Sequence, residues 1–123
     1  MFLVTKIFKF DSAHNLLNYK GACENVHGHT YNLEVSLKCS KDKNNGLAFD
    51  FNLIKEIVNK KIIDKLDHRY LNEIINQPTA ENICEWIWSE LITEFTTDNV
   101  KLFEIKLYEG PNSYITYRGA ADF

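Results

Sequence analysis

The chain has 123 residues and a mass of 14.4 kDa, the size of one domain, and its 45% apolar and 13% aromatic content is enough to build a core. Fourteen basic against 17 acidic residues leave a net charge of −3, without the basic cluster that nucleic-acid binders carry. No run approaches the roughly 18 apolar residues of a membrane span, and Met1 to Lys6 lacks the basic start and cleavage site of a secretory leader; one cytoplasmic domain over residues 1–123 is expected, with neither nucleic acid nor membrane as partner.

Phe2 to Phe10 is rich enough in aromatic and β-branched residues to predict a first strand. Tyr31 to Cys39 predicts a second, with Tyr31, Leu33, Val35, Leu37 and Cys39 on one face and Asn32, Glu34, Ser36 and Lys38 on the other. Asn44-Asn45-Gly46 supplies turn chemistry, and Leu47 to Phe49 reads as a short extended piece. Asp50 suits the N-cap of a first helix, whose apolar positions Phe51, Ile54, Ile57, Val58 and Ile62 recur at helical spacing. A second helix starts at Thr79 after Pro78, with an apolar stripe from Ala80 through Ile83, Cys84, Ile87, Trp88, Leu91 and Ile92 to Phe95. Val100 to Glu109 and Ser113 to Arg118 predict two further strands about a Gly110-Pro111-Asn112 turn. The order is ββααββ, an α+β fold: a four-stranded antiparallel sheet with two helices on one face. So small a sheet leaves its edges open, and a homo-oligomer that closes them is expected.

Four histidines are available to chemistry, His14, His27, His29 and His68. If the second strand is entered at His27, period-2 alternation puts His27 and His29 on one face with Gly28 between them, and His14 sits opposite across a hairpin. Three neutral imidazoles so placed make the open three-ligand zinc site of catalytic proteins; the alternative is ordinary sheet histidines. Cys39 and Cys84 fall on apolar positions and read as core residues. Cys23 has no such periodicity and is either a fourth metal ligand, closing a structural site, or a thiolate acting beside the metal. Asp67-His68 is either a polar helix end or the proton-transfer pair, His68 being the histidine left over from the metal set. Glu109 extends the apolar row of Phe103, Ile105 and Leu107, so its carboxylate either caps the strand in solvent or meets a planar ligand with adjacent N–H donors.

Six words in order resemble the 6-pyruvoyltetrahydropterin synthase / 6-carboxytetrahydropterin synthase family over nearly the whole chain: Phe10-Asp11-Ser12-Ala13-His14, Cys23-Glu24-Asn25-Val26-His27-Gly28-His29-Thr30-Tyr31, Asp50-Phe51, Leu66-Asp67-His68, Pro78-Thr79-Ala80-Glu81-Asn82 and Tyr108-Glu109. The resemblance implies the T-fold, closing into barrels by oligomerisation, with a hexamer favoured. It implies Zn2+ on His14, His27 and His29, catalysis by Cys23, Asp67 and His68, a pterin anchored by Glu109, and Thr79 and Glu81 close to the same pocket. It implies 7,8-dihydroneopterin triphosphate as substrate. In the branch that resembles this Cys-x3-His-Gly-His spacing, the products are 6-carboxy-5,6,7,8-tetrahydropterin, acetaldehyde and triphosphate, on the route to 7-deazaguanine and queuosine. Glu24 resembles the acid of a branch that cuts the side chain to 6-hydroxymethyl-7,8-dihydropterin for folate synthesis, and 6-pyruvoyltetrahydropterin synthase activity is a further alternative.

Two readings of other classes stand beside these: a zinc-stabilised oligomer that binds pterin without turnover, and a zinc hydrolase that has no use for Cys23. The triphosphate calls for cations, for which Lys20, Arg69 and Arg118 are the candidates.

Overall fold

The structure, a computed structural model, describes residues 1–120, so the last three positions of the expected domain lie outside the described residues. Strands β1 (Phe2–His14), β2 (His27–Cys39), β4 (Val100–Glu109) and β5 (Tyr114–Tyr117) pair antiparallel in sequence order, as expected. A fifth strand was not foreseen. Arg69 and Tyr70 form the two-residue β3, which runs parallel to β1 at Ser12 and Ala13, so the sheet is mixed and ordered β3-β1-β2-β4-β5. Among the described residues it stays open, with no pairing of β3 onto β5.

β1 and β2 also run further than their apolar residues suggested. Pairing continues through the polar Asp11 to His14, matched against Thr30 back to His27, because each added pair satisfies backbone donors and acceptors that alternation alone does not count. Leu47 to Phe49, expected to be extended, is not a strand. Along β4 the register slips by one between Ser36 and Leu37, leaving Phe103 as the extra residue of a bulge.

The helices lie over one face. Asp50 caps α1 (Phe51–Val58) by accepting the Asn52 N–H at 2.8 Å. The rod continues through a π-helical turn at Asn59–Ile63 into the single turn α2 (Asp64–Leu66). The wide turn has a packing reason. Ile54, Val58, Ile62 and Leu66 are all 0% exposed, and a strict four-residue spacing drifts around a 3.6-residue helix unless one turn is widened. Phe51, on the same stripe, stays 56% exposed at the helix start. Thr79 caps α3 (Ala80–Leu91) through the Asn82 N–H at 3.0 Å, and Ile83, Cys84, Ile87 and Leu91 are buried. They pack with Leu33, Val35, Leu37, Ile105 and Leu107 from the sheet's inner face. Among the described residues, no helix is long and apolar enough to cross a membrane.

The chain after β5 is locked by Gly119, which adopts φ 66° beside Trp88; an added Cβ would lie 2.7 Å from the indole. Gly119→Ala therefore combines left-handed strain with a clash, and should lower the unfolding free energy by about 1–3 kcal/mol, read as a fall in the urea midpoint at unchanged m-value.

Candidate metal centre and adjoining clefts

The end of the β1–β2 ladder sets His14 opposite His27, and two residues along β2 His29 projects to the same face. The three rings meet edge to face, with centroids 4.7, 5.1 and 4.7 Å apart. One nitrogen from each lies within 4.8 Å of the other two. His14 Nδ1 is 2.7 Å from the Pro78 carbonyl and His27 Nδ1 is 2.7 Å from the Asn25 carbonyl. Both carbonyls can only accept, so both Nδ1 atoms carry the proton and both Nε2 atoms present lone pairs. Those lone pairs face one another at 3.2 Å. Two acceptors at that distance repel unless a cation or a proton stands between them.

His29 completes the case. Its Nε2 is buried and has no hydrogen-bond partner; Glu109 Oε1 lies 3.3 Å away but outside hydrogen-bonding geometry. Burial, opposed by Glu109, holds the His29 imidazole below its usual proton affinity, and the other two rings add to the lowering. A neutral, buried, unpartnered nitrogen aimed at two other lone pairs is what a bound divalent cation would satisfy. The residues present fit a metal ion.

Cys23 sits on a single helical turn, Ala22–Glu24, in the β1–β2 connection, partly buried and not disulfide-bonded. Its sulfur is outside the nitrogen cluster, which therefore holds three protein ligands and no fourth His, Cys, Asp or Glu among the described residues. Glu24 follows on the same turn with its side chain exposed. Cys39 and Cys84 are 0% exposed, as core residues should be; burial pushes the Cys84 thiol up to about 12.

Two depressions flank the histidines. One, about 270 Å³, is lined by His14, Thr79, Glu81, Leu107, Glu109 and Ser113 among others. It unites three residues picked out in the sequence with one of the rings. The other, about 560 Å³ and open, contains His29 and Gly28 together with Asp11, Thr30, His68 and Arg69. The centre thus stands between the two.

Asp67 and His68 pair with each other, Oδ2 to Nδ1 at 3.0 Å, at the rim of the larger depression. They are clamped to β1. The Asp11 N–H donates to Asp67 Oδ1 at 2.9 Å, the His68 N–H donates to the Asp11 carbonyl at 2.7 Å, and Ser12 Oγ donates to the Leu66 carbonyl at 2.5 Å. The Asp11 N–H chiefly holds the Asp67 carboxyl below the usual carboxylate range, opposed by burial and helped by His68. His68 has φ 56°, a left-handed conformation that a non-glycine residue keeps only where its surroundings enforce it. Its ring is 76% exposed and does not join Cys23. The structure therefore assembles the three histidines, Glu109, Thr79 and Glu81, while Cys23 on the one hand and Asp67 with His68 on the other, the catalytic set the resemblance implies, lie in two places.

Sequence reasoning did not single out Asp11 and Ser12 as the clamp, because their partners lie 54 to 56 residues away. It also passed over the Tyr31 phenol, which lies 3.5 Å from His14 Nδ1 and is pushed up by burial, Glu109 and Cys23. Of the candidate cations, Arg69 lines the larger depression and Lys20 is exposed. Arg118 is committed elsewhere. It is paired to Glu104 at 3.0 Å and lies 4.8 Å from the Phe103 ring centre.

Residues 3–120 match the model of the 6-pyruvoyl tetrahydropterin synthase family. The chain is 33% identical over 132 residues to a 6-pyruvoyl tetrahydrobiopterin synthase of Dictyostelium discoideum, covering 95% of this chain and 96% of the relative. It is 29% identical over 136 residues to a 6-carboxy-5,6,7,8-tetrahydropterin synthase of Rickettsia conorii, covering 94% and 99% respectively. Its fold matches the Caenorhabditis elegans 6-pyruvoyl tetrahydropterin synthase structure with a TM-score of 0.85 at 24% identity, over 97% of this chain and 96% of that one.

Proposed function

The chain belongs to the 6-pyruvoyl tetrahydropterin synthase family, and from that premise we propose that it is a zinc-dependent enzyme converting 7,8-dihydroneopterin triphosphate to 6-carboxy-5,6,7,8-tetrahydropterin, acetaldehyde and triphosphate. The observation that carries the reading is the convergence of three imidazole nitrogens, one buried and unpartnered, beside the Glu109 carboxylate. His14, His27 and His29 would hold the zinc ion, which would supply Lewis acidity toward the hydroxyls of the substrate's three-carbon side chain. Glu109 accepts two parallel N–H bonds from the pterin ring, which fixes its orientation in the smaller cleft, against Thr79 and Glu81. The Cys23 thiolate takes a proton from the side chain, and His68, oriented by Asp67, donates or relays one. The Cys-x3-His-Gly-His spacing favours the carboxy product and a place in 7-deazaguanine synthesis.

The exposed His68 serves the site of another copy in this reading. Support comes from the sheet edges: β1 pairs with β3 only at Ser12 and Ala13, and Phe2, Leu3 and Ile7 are 53%, 56% and 65% exposed beside an open strand. A homo-oligomer follows, a hexamer by family resemblance. Sedimentation of the protein at micromolar concentration is expected above monomer mass, and a monomer there would refute the assembly.

A second product has its own support, since Glu24 shares the Cys23 turn and is exposed beside it. Zinc-loaded protein incubated with 7,8-dihydroneopterin triphosphate should release acetaldehyde and the carboxypterin, with 6-hydroxymethyl-7,8-dihydropterin as the minor product. Glu24→Ala should remove the minor product alone; unchanged product ratios would dismiss it. Intact substrate after prolonged incubation would overturn the whole reading.

A further inference from the structure

The turn that bears Cys23 hangs from a loop that packs against residues far away in sequence, and two side-chain amides hold it there. Asn72 Oδ1 accepts the Asn15 N–H at 3.0 Å while Asn72 Nδ2 donates to the Asn15 carbonyl at 2.9 Å. Gln77 repeats the pattern on Leu17, accepting its N–H at 2.7 Å and donating to its carbonyl at 2.5 Å. A carboxamide facing a backbone N–H and C=O together satisfies both in only one orientation, so each contact is a two-point lock. Tyr70 Oη donates to Asn15 Oδ1. The same loop reaches the thiol-bearing turn directly: the Leu16 N–H donates to the Cys23 carbonyl at 2.7 Å, and Asn15 Nδ2 lies 3.5 Å from the Glu24 carbonyl.

The locks have informative addresses. Tyr70 and Asn72 follow His68 by two and four residues, and Gln77 precedes Pro78, whose carbonyl fixes the His14 ring. Gln77 is itself held at φ 50°, with Asn82 Nδ2 donating to its carbonyl at 2.8 Å. Such strain persists in a non-glycine residue only where the surroundings enforce it. One network thus joins the Cys23 turn, the Asp67–His68 segment and the backbone behind the metal centre.

We propose that Asn72 and Gln77 are positioning residues that set the Cys23 thiol relative to the histidine centre by gripping Asn15 and Leu17. The inference rests on the reading of Cys23 as the reacting thiol. Misplacing a reacting group by about 1 Å costs up to roughly 100-fold in rate, and neither amide lines the clefts in which substrate would sit. Loss of a lock should therefore fall on kcat rather than KM.

The test follows zinc-loaded protein in two ways, by alkylation of Cys23 with iodoacetamide and by steady-state kinetics. Cys39 and Cys84, both 0% exposed, serve as internal references for an intact fold. In Asn72→Ala and Gln77→Ala, alkylation of Cys23 should quicken by about fivefold or more while the two references stay protected. Turnover should fall roughly 10- to 100-fold with KM within about threefold. Asn72→Asp, which keeps the acceptor for the Asn15 N–H and loses the donor, should recover part of the loss. If Asn72→Ala exposes the reference thiols, Asn72→Asp decides, with slower turnover at protected references as the expected result. Alkylation rates and kcat within about twofold of the parent in every folded variant would overturn the proposal. An active Cys23→Ala would instead remove the thiol's catalytic role, while the alkylation arm still reports whether the locks hold its position.

Discussion

Stripping the protein with a chelator should slow consumption of 7,8-dihydroneopterin triphosphate by on the order of a thousandfold, the equivalent of the several kcal/mol that a Lewis acid contributes, and added zinc should restore it. The expectation follows from the protonation pattern of the rings. His14 and His27 each spend Nδ1 on a backbone carbonyl, which leaves their Nε2 lone pairs 3.2 Å apart, and His29 Nε2 is buried with no hydrogen bond of its own. Without a cation these groups are in conflict, so the ion should also stabilise the fold. At a hundredfold excess over its dissociation constant a ligand of the native state adds about 2.7 kcal/mol, and the thermal midpoint should rise accordingly. His27→Ala, at a partly exposed position, should abolish both the rescue and the thermal shift while leaving the chain folded. An enzyme as active after exhaustive stripping as before it would end the metal-dependent reading.

Cys23→Ala should keep one equivalent of metal and lose about 100- to 10,000-fold in turnover, the range that a positioned proton-transfer group contributes. Both halves of the expectation come from one geometric fact: the sulfur lies outside the group formed by the three imidazoles. Were the thiolate a fourth ligand, its removal would weaken metal retention. Were the protein a metal hydrolase, removal would leave the rate nearly intact. Metal content and rate therefore separate three readings in one variant. Loss of metal on Cys23→Ala would return the residue to the coordination shell, and an unchanged rate would remove it from catalysis.

Local chemistry in the sequence was sufficient for the four main strands, the two helices and the inner face of the site. Alternation from Tyr31 to Cys39 specified which side of β2 is buried, and the same period carried back to His29 and His27 put both rings on that side. Asp50 and Thr79 announced their helices because capping is a contact within three residues. Glu109 was conspicuous as a charge on an apolar row, and it does lie against the centre. Local chemistry misled where pairing is non-local. β3 has two residues and no pattern of its own; it exists because Asp11 and Ser12 grip the segment that precedes it. Arg118, a phosphate candidate on its charge alone, pairs with the Glu104 carboxylate and lies over the Phe103 ring, contacts that no local pattern announces.

By itself the sequence determined the α+β order, the buried faces and the three imidazoles, since each depends on residue period and on contacts a few positions apart. Only the tertiary structure decided that His14 and His27 share a protonation pattern imposed by two carbonyls, that Cys23 stands off the metal group, and that His68 turns outward from a strained backbone. The His14 tautomer is set by a carbonyl 64 residues away that no spacing along the chain encodes, whereas the carbonyl that fixes His27 lies two residues off and its ring meets His14 only through strand pairing.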